Sequence, residues 1–111
     1  MRILLVEDEQ HLSEAVAHIL KKNHYTVDAV YDGQDGLNYA ETGIYDLIIL
    51  DIMLPKLDGI SVLRALRRSR LDTPVLLLSA KSEISDKVQG LDSGADDYIA
   101  KPFGMMEMVS R

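Results

Sequence analysis

The chain has 111 residues, enough for one domain and too few for two. Apolar residues make up 47% and charged residues 27%, as in ordinary globular proteins, and the formal net charge of −6 argues against non-specific nucleic-acid binding by this chain. Cysteine is absent, which excludes disulfides, thiolate zinc sites and thiol catalysis, and no apolar stretch reaches the ~20 residues needed to span a bilayer, so no membrane association and a cytoplasmic location are expected.

In chain order, the first element is a short apolar run, Ile3–Val6, read as a strand. Leu12, Ala15, Val16, Ile19 and Leu20 then recur at the i, i+3, i+4, i+7, i+8 spacing of an amphipathic helix. A mixed run, Thr26–Tyr31, suggests an edge strand, and Gly33–Thr42 a weaker helix closed by Gly43. Leu47–Leu50 is a second fully apolar run. A helix marked by Ile60, Leu63 and Leu66 follows, opened by Gly59, with Asp58 as its cap. Val75–Leu78 is the third apolar run, followed by a helix marked by Ile84, Val88 and Leu91 and ended by Gly94. The mixed run Asp97–Ala100 is the fifth strand, and a last helix begins near Gly104.

Strand and helix alternate five times, which implies a parallel sheet with helices on both faces. Strands that are apolar throughout are buried on both faces and belong in the middle, so the first, third and fourth strands are central and the second and fifth are edges. Right-handed crossovers then favour the order 2-1-3-4-5. The chain reverses direction between the first and third strands, and ligands of such sheets bind at the carboxyl ends of the strands beside that reversal.

The first strand runs into Glu7, Asp8 and Glu9, and the third into Asp51. The expected fold gathers Glu7, Asp8 and Asp51 at the switch point, where like charges repel unless a cation neutralises them. Oxygen-only donors suit a hard cation such as Mg²⁺, which needs only one or two carboxylates plus water. Ser79 follows the fourth strand and Lys101 the fifth. A hydroxyl, an ammonium and a carboxylate-bound metal together make a receptor for a phosphoryl group, whose transfer is mainly positioning and charge neutralisation. A carboxylate in that setting can itself be the nucleophile, giving an acyl phosphate.

With these residues in view, the chain resembles the receiver domain of two-component response regulators over its whole length, 1–111. Val6-Glu7-Asp8-Glu9 is similar to the family's acidic pair, and Asp51 to Gly59 (DIMLPKLDG) to its phosphoacceptor loop. Ser79-Ala80 is similar to its hydroxyl position and Lys101-Pro102-Phe103 to its lysine motif. The resemblance implies a flavodoxin-like (βα)5 single domain. It implies that Asp51 accepts a phosphoryl group from a histidine kinase. It implies that Mg²⁺ is held by Asp8, Asp51 and the Met53 carbonyl, with Glu7 acting mostly through water. Lys101 and Ser79 assist, and Ser79 and Tyr98 form the switch pair. Such a domain is a signalling phosphoacceptor rather than an enzyme in its own right, although it assists its own phosphorylation and dephosphorylation.

The stretch Lys87 to Tyr98, with Glu107 and Arg111, is similar to the OmpR/PhoB class, whose members carry a winged-helix DNA-binding domain. This implies a phosphorylation-dependent homodimer through a face containing Lys87, Asp96, Asp97, Glu107 and Arg111. DNA would be reached only through an effector domain outside this chain. The last helix runs to Arg111 after about two turns with no stop signal, so the chain is expected to end near the close of that helix.

Rival functions fit less well. A phosphatase of the haloacid dehalogenase type needs its nucleophile on the first strand and a second Asp two residues on. Asp51 is instead followed by Ile52 and Met53, and Asp8 has Gln10 two residues on. A flavodoxin-like FMN binder needs a hydroxyl- and Gly-rich loop where Glu7-Asp8-Glu9 would repel the flavin phosphate. A receiver-like module that is never phosphorylated is the third, but all the chemical positions are filled. Arg64, Arg67, Arg68 and Arg70 read as a solvated helix end favoured by the helix dipole.

Overall fold

The computed structural model describes residues 1–78, Gly94 and the backbone of Ser79 and of 97–100. Within them lie β1 (Arg2–Val6), α1 (Gln10–Lys22), β2 (Thr26–Val30), α2 (Gly33–Ala40), β3 (Leu47–Asp51), α3 (Gly59–Arg68), β4 (Val75–Ser79) and β5 (Asp97–Ala100). All pairings are parallel: β2 with β1, β1 with β3, β3 with β4, and β4 with β5. The helices expected around Ile84–Leu91 and beyond Gly104 lie outside the described residues.

The central strands are apolar throughout because both their faces are covered. Leu4, Val6, Ile48, Leu50, Val75 and Leu77 point to the side packed by Ala40 of α2 and by Ile60, Leu63 and Leu66 of α3. Ile3, Leu5, Ile49, Leu76 and Leu78 point to the other side, where Val16 and Leu20 of α1 meet them. Period-2 alternation along each strand thus divides one apolar run between two cores.

Helix boundaries follow local chemistry. Asp58 caps α3 as expected, accepting from the Ser61 N–H at 2.9 Å and the Ser61 hydroxyl at 2.8 Å. Two helices stop by the same device. His24 (φ 70°) and Arg70 (φ 62°) adopt left-handed backbone. The following N–H groups, of Tyr25 and Leu71, then reach back to the carbonyls of Leu20 and Leu66, each at 3.1 Å. This is the Schellman closure, made here without glycine. One expected stripe is rotated: in α1 the buried residues are Ser13, Val16 and Leu20, whereas Ala15 is exposed. A small apolar residue costs little in water, so its place in the periodicity did not fix the helix's rotation.

Candidate functional site

Pairing places the acids. Val6 lies opposite Leu50 across β1 and β3, so the next residues, Glu7 and Asp51, come off adjacent strands at the same level. Glu7 extends the β1–β2 ladder by one bond, its N–H donating to the Val30 carbonyl at 3.1 Å. Glu7 is fully buried and Asp51 is 2% exposed, while Asp8 is exposed. One carboxylate oxygen from each of Glu7, Asp8 and Asp51 lies within 4.8 Å of the others. The site therefore has two buried acids at its base and one at its mouth.

Local contacts orient the buried acids. The Glu9 N–H donates to Glu7 Oε2 at 3.0 Å, and the Met53 N–H donates to Asp51 Oδ1 at 3.3 Å. Gly59 brings α3 hard against the strand end: a Cβ there would lie 2.1 Å from the Asp51 carbonyl oxygen. The Gly59 N–H also closes the intervening loop onto the Ile52 carbonyl at 2.8 Å. An open depression of about 580 Å³ adjoins the acids on the α3 side, bounded by Asp8, Met53, Asp58 and Arg64. It leaves Asp8 approachable by a ligand.

The donor set fits a hard divalent cation. It is all oxygen, it includes two buried carboxylates that would otherwise repel each other, and it has an open side where water ligands can remain. Glu7, Asp8 and Asp51 would hold such an ion. Met53, the other expected ligand, is 61% exposed on the loop just beyond Asp51.

The remaining expected residues divide in two. Ser79 ends β4, one residue past Leu78, which lies opposite Asp51. Asp97 and Tyr98 lie in β5, with their backbones opposite Leu76 and Leu77. Lys101, Lys87, Asp96, Glu107 and Arg111 lie outside the described residues.

Two features were not anticipated. Arg67 is not part of a solvated helix end. Its guanidinium donates to the carbonyls of Leu71 and Thr73, each at 2.8 Å, and to that of Gly94 at 3.0 and 2.9 Å. Arg67 thus ties the end of α3 to the approach to β5, whereas Arg64, Arg68 and Arg70 are exposed as expected. Charge patterning did not separate the four, because which one turns inward depends on helix rotation.

The second feature is a clasp on the loop after Asp51. Asp32 caps α2 with one carboxylate oxygen, accepting from the Asp35 N–H at 2.8 Å, and its other oxygen lies 3.6 Å from Lys56 Nζ. The Asp35 N–H, reinforced by Lys56, holds the Asp32 carboxyl below the usual carboxylate range. Beside it the Gly33 N–H donates to the Pro55 carbonyl at 3.1 Å. The only sequence signal for this contact is an Asp-Gly pair at a helix start, which does not name its partner.

With this geometry in hand, similarity to known proteins is informative. Residues 3–111 match the response regulator receiver domain family. The chain is 54% identical over 111 residues to the transcriptional regulatory protein DltR of Streptococcus agalactiae, covering all of this chain and 50% of that protein. It is 50% identical over 110 residues to the response regulator ArlR of Staphylococcus aureus, covering 99% and 50% respectively. The chain thus spans about half the length of these two relatives. Among solved structures, the receiver domain of the Francisella response regulator 1452 superimposes with a TM-score of 0.95 at 36% identity, over 99% of this chain and 91% of that one.

Proposed function

This chain belongs to the response regulator receiver domain family, and we propose that it accepts a phosphoryl group on Asp51 from a sensor histidine kinase in a Mg²⁺-dependent reaction. The observation that carries the reading is the meeting of buried Glu7, buried Asp51 and exposed Asp8 within 4.8 Å at the ends of β1 and β3. A family member of this kind is a signalling domain, not a classical enzyme.

An Asp51 carboxylate oxygen attacks phosphorus in line with the donor's leaving nitrogen. The O–P bond forms as the P–N bond breaks, leaving an acyl phosphate on Asp51 and returning the electron pair to the imidazole. Glu7, Asp8, Asp51 and the Met53 carbonyl would hold Mg²⁺, which would supply neutralisation of the phosphoryl oxygens. The Glu9 and Met53 N–H groups orient the Glu7 and Asp51 carboxylates before the donor arrives. Lys101, which leaves β5, pairs with the phosphoryl group, and Ser79 at the end of β4 hydrogen-bonds it. Turning of Ser79 toward the phosphoryl oxygens lets Tyr98 move, which carries the event to the surface.

The finer reading completes the fold as a flavodoxin-like (βα)5 domain over 1–111. Output is a homodimer through Lys87, Asp96, Asp97, Glu107 and Arg111. An isologous interface lets each acid meet a base across the axis. The name of DltR, a transcriptional regulatory protein about twice the length of this chain, supports an effector domain beyond this chain that reaches DNA. Among the described residues no helix is long and apolar enough to cross a membrane, and we place the chain in the cytoplasm. Intact mass after incubation with acetyl phosphate and Mg²⁺ tests the core of this reading. One added phosphoryl group that hydroxylamine removes is expected. No mass gain would contradict it.

A further inference from the structure

The loop between Asp51 and α3 contains a non-glycine residue in a costly conformation. Lys56 has φ 69°, and the N–H of Leu57 donates across it to the Pro55 carbonyl at 2.8 Å. A positive φ with an i to i+2 hydrogen bond is the rarer, strained form of the γ-turn. Strain of this kind persists only where the surroundings over-determine it, and it clusters where a loop must hold a ligand.

Here the surroundings are the start of α2. The Pro55 carbonyl accepts a second bond, from the Gly33 N–H at 3.1 Å. The two backbones are so close that a Cβ on Gly33 would lie 1.6 Å from the Leu57 carbonyl oxygen. Asp32 adds its ion pair to Lys56 at 3.6 Å, a contribution kept small by the exposure of the lysine. The loop is therefore pinned at two places. Ile52 is held by the Leu78 carbonyl at 2.9 Å and the Gly59 N–H at 2.8 Å, and Pro55 by Gly33 and Leu57. Only Met53 and Leu54 span the interval, and Met53 also donates to Asp51.

We propose that Gly33 and Lys56 are positioning residues for the metal: the clasp of the α2 start on the strained turn sets how Met53 and Asp51 present their oxygens to a divalent cation. This rests on the phosphoacceptor reading above. Neither residue touches the acids, so each acts through the loop. Removing such an outer support typically weakens metal affinity by about 10- to 100-fold.

The test reads Mg²⁺ affinity by calorimetry beside the urea midpoint of the metal-free protein. Gly33→Ala should raise the Mg²⁺ dissociation constant about tenfold, because the added methyl must displace Leu57. Lys56→Gly relieves the backbone strain and loosens the turn. It should leave the urea midpoint nearly unchanged while raising the dissociation constant several-fold, a split that a merely structural role would not give. If Gly33→Ala does not fold, Lys56→Gly decides alone. Parental affinity in Lys56→Gly, or affinity and midpoint falling together in it, overturns the inference. Failure of the parent protein to bind Mg²⁺ overturns the metal reading itself and the inference with it.

Discussion

The two ends of the sheet use acids in opposite ways. At the amino-terminal end, acids meet donors: the Tyr45 hydroxyl donates to Asp28 at 2.7 Å, Arg2 Nε lies 3.4 Å from the same carboxylate, and the Arg2 N–H donates to Asp46 at 2.7 Å. At the carboxyl end, acids meet acids, with Glu7, Asp8 and Asp51 converging within 4.8 Å. One end holds the strands together. The other concentrates like charge where a cation can bind, an arrangement that stability alone does not favour. The contrast separates what folds this chain from what it is for, and substitutions at the two ends should behave oppositely.

The largest stability effect is expected at the amino-terminal end. Tyr45→Phe removes a hydrogen bond from a part-buried hydroxyl to a carboxylate and should cost about 1.5 kcal/mol. Burial, with the bond to Asp28, pushes the Tyr45 hydroxyl up to about 12 from 10. Because the folded state holds this proton more tightly, its contribution is complete below pH 10 and is lost as pH rises from 10 through about 12. Urea titrations across that window should show the parent losing stability relative to Tyr45→Phe. Parallel curves would mean that the hydroxyl is not held as described.

Next in size is the response to Mg²⁺. At tenfold over its dissociation constant the ion should stabilise the parent by about 1.4 kcal/mol. Asp51→Asn should lose that gain yet be more stable than the parent without metal, the reverse of Tyr45→Phe. A metal-free Asp51→Asn protein that melts below the parent would erase the contrast between the two ends.

Asp58 sharpens the comparison because it borders the site yet serves the fold. Burial raises its carboxyl, but the Ser61 N–H and hydroxyl outweigh that and leave it below its ordinary value of 3.8. Asp58→Ala should cost about 1 kcal/mol at neutral pH. This difference should vanish as pH falls below 3.8 through the lowered value, since a depressed carboxyl stabilises above its unfolded pKa and stops doing so once protonated. Smallest of all, Arg2→Ala should change stability by no more than about 0.5 kcal/mol, its side chain being exposed and screened.

How much of this was legible beforehand depended on the range of the interaction. Ile3–Val6, Leu47–Leu50 and Val75–Leu78 announced central strands because burial on both faces leaves no polar alternation. Glu7, Asp8 and Asp51 were legible as a group because each follows such a run and strand ends at a reversal converge. Ala15 was misassigned because alanine suits either face of a helix. The inward turn of Arg67 and the docking of Gly33 on Leu57 were illegible for another reason. The bonds of Arg67 to Gly94 and the approach of Gly33 to Leu57 join segments more than 20 residues apart, and no local pattern encodes them. Lys101 was read from its place after the fifth strand and the dimer-face residues Lys87, Asp96, Glu107 and Arg111 from family resemblance, and all of them lie outside the described residues.

The most direct test of the central claim sets two neighbouring aspartates against each other. Asp51 and Asp58 bound the same loop, one assigned to chemistry and the other to capping a helix. Intact-mass measurement after acetyl phosphate and Mg²⁺ should show one added phosphoryl group on the parent and on Asp58→Asn, and none on Asp51→Asn. Labelling that survives in Asp51→Asn, or disappears in a folded Asp58→Asn protein, would contradict the assignment of Asp51 as the phosphoacceptor.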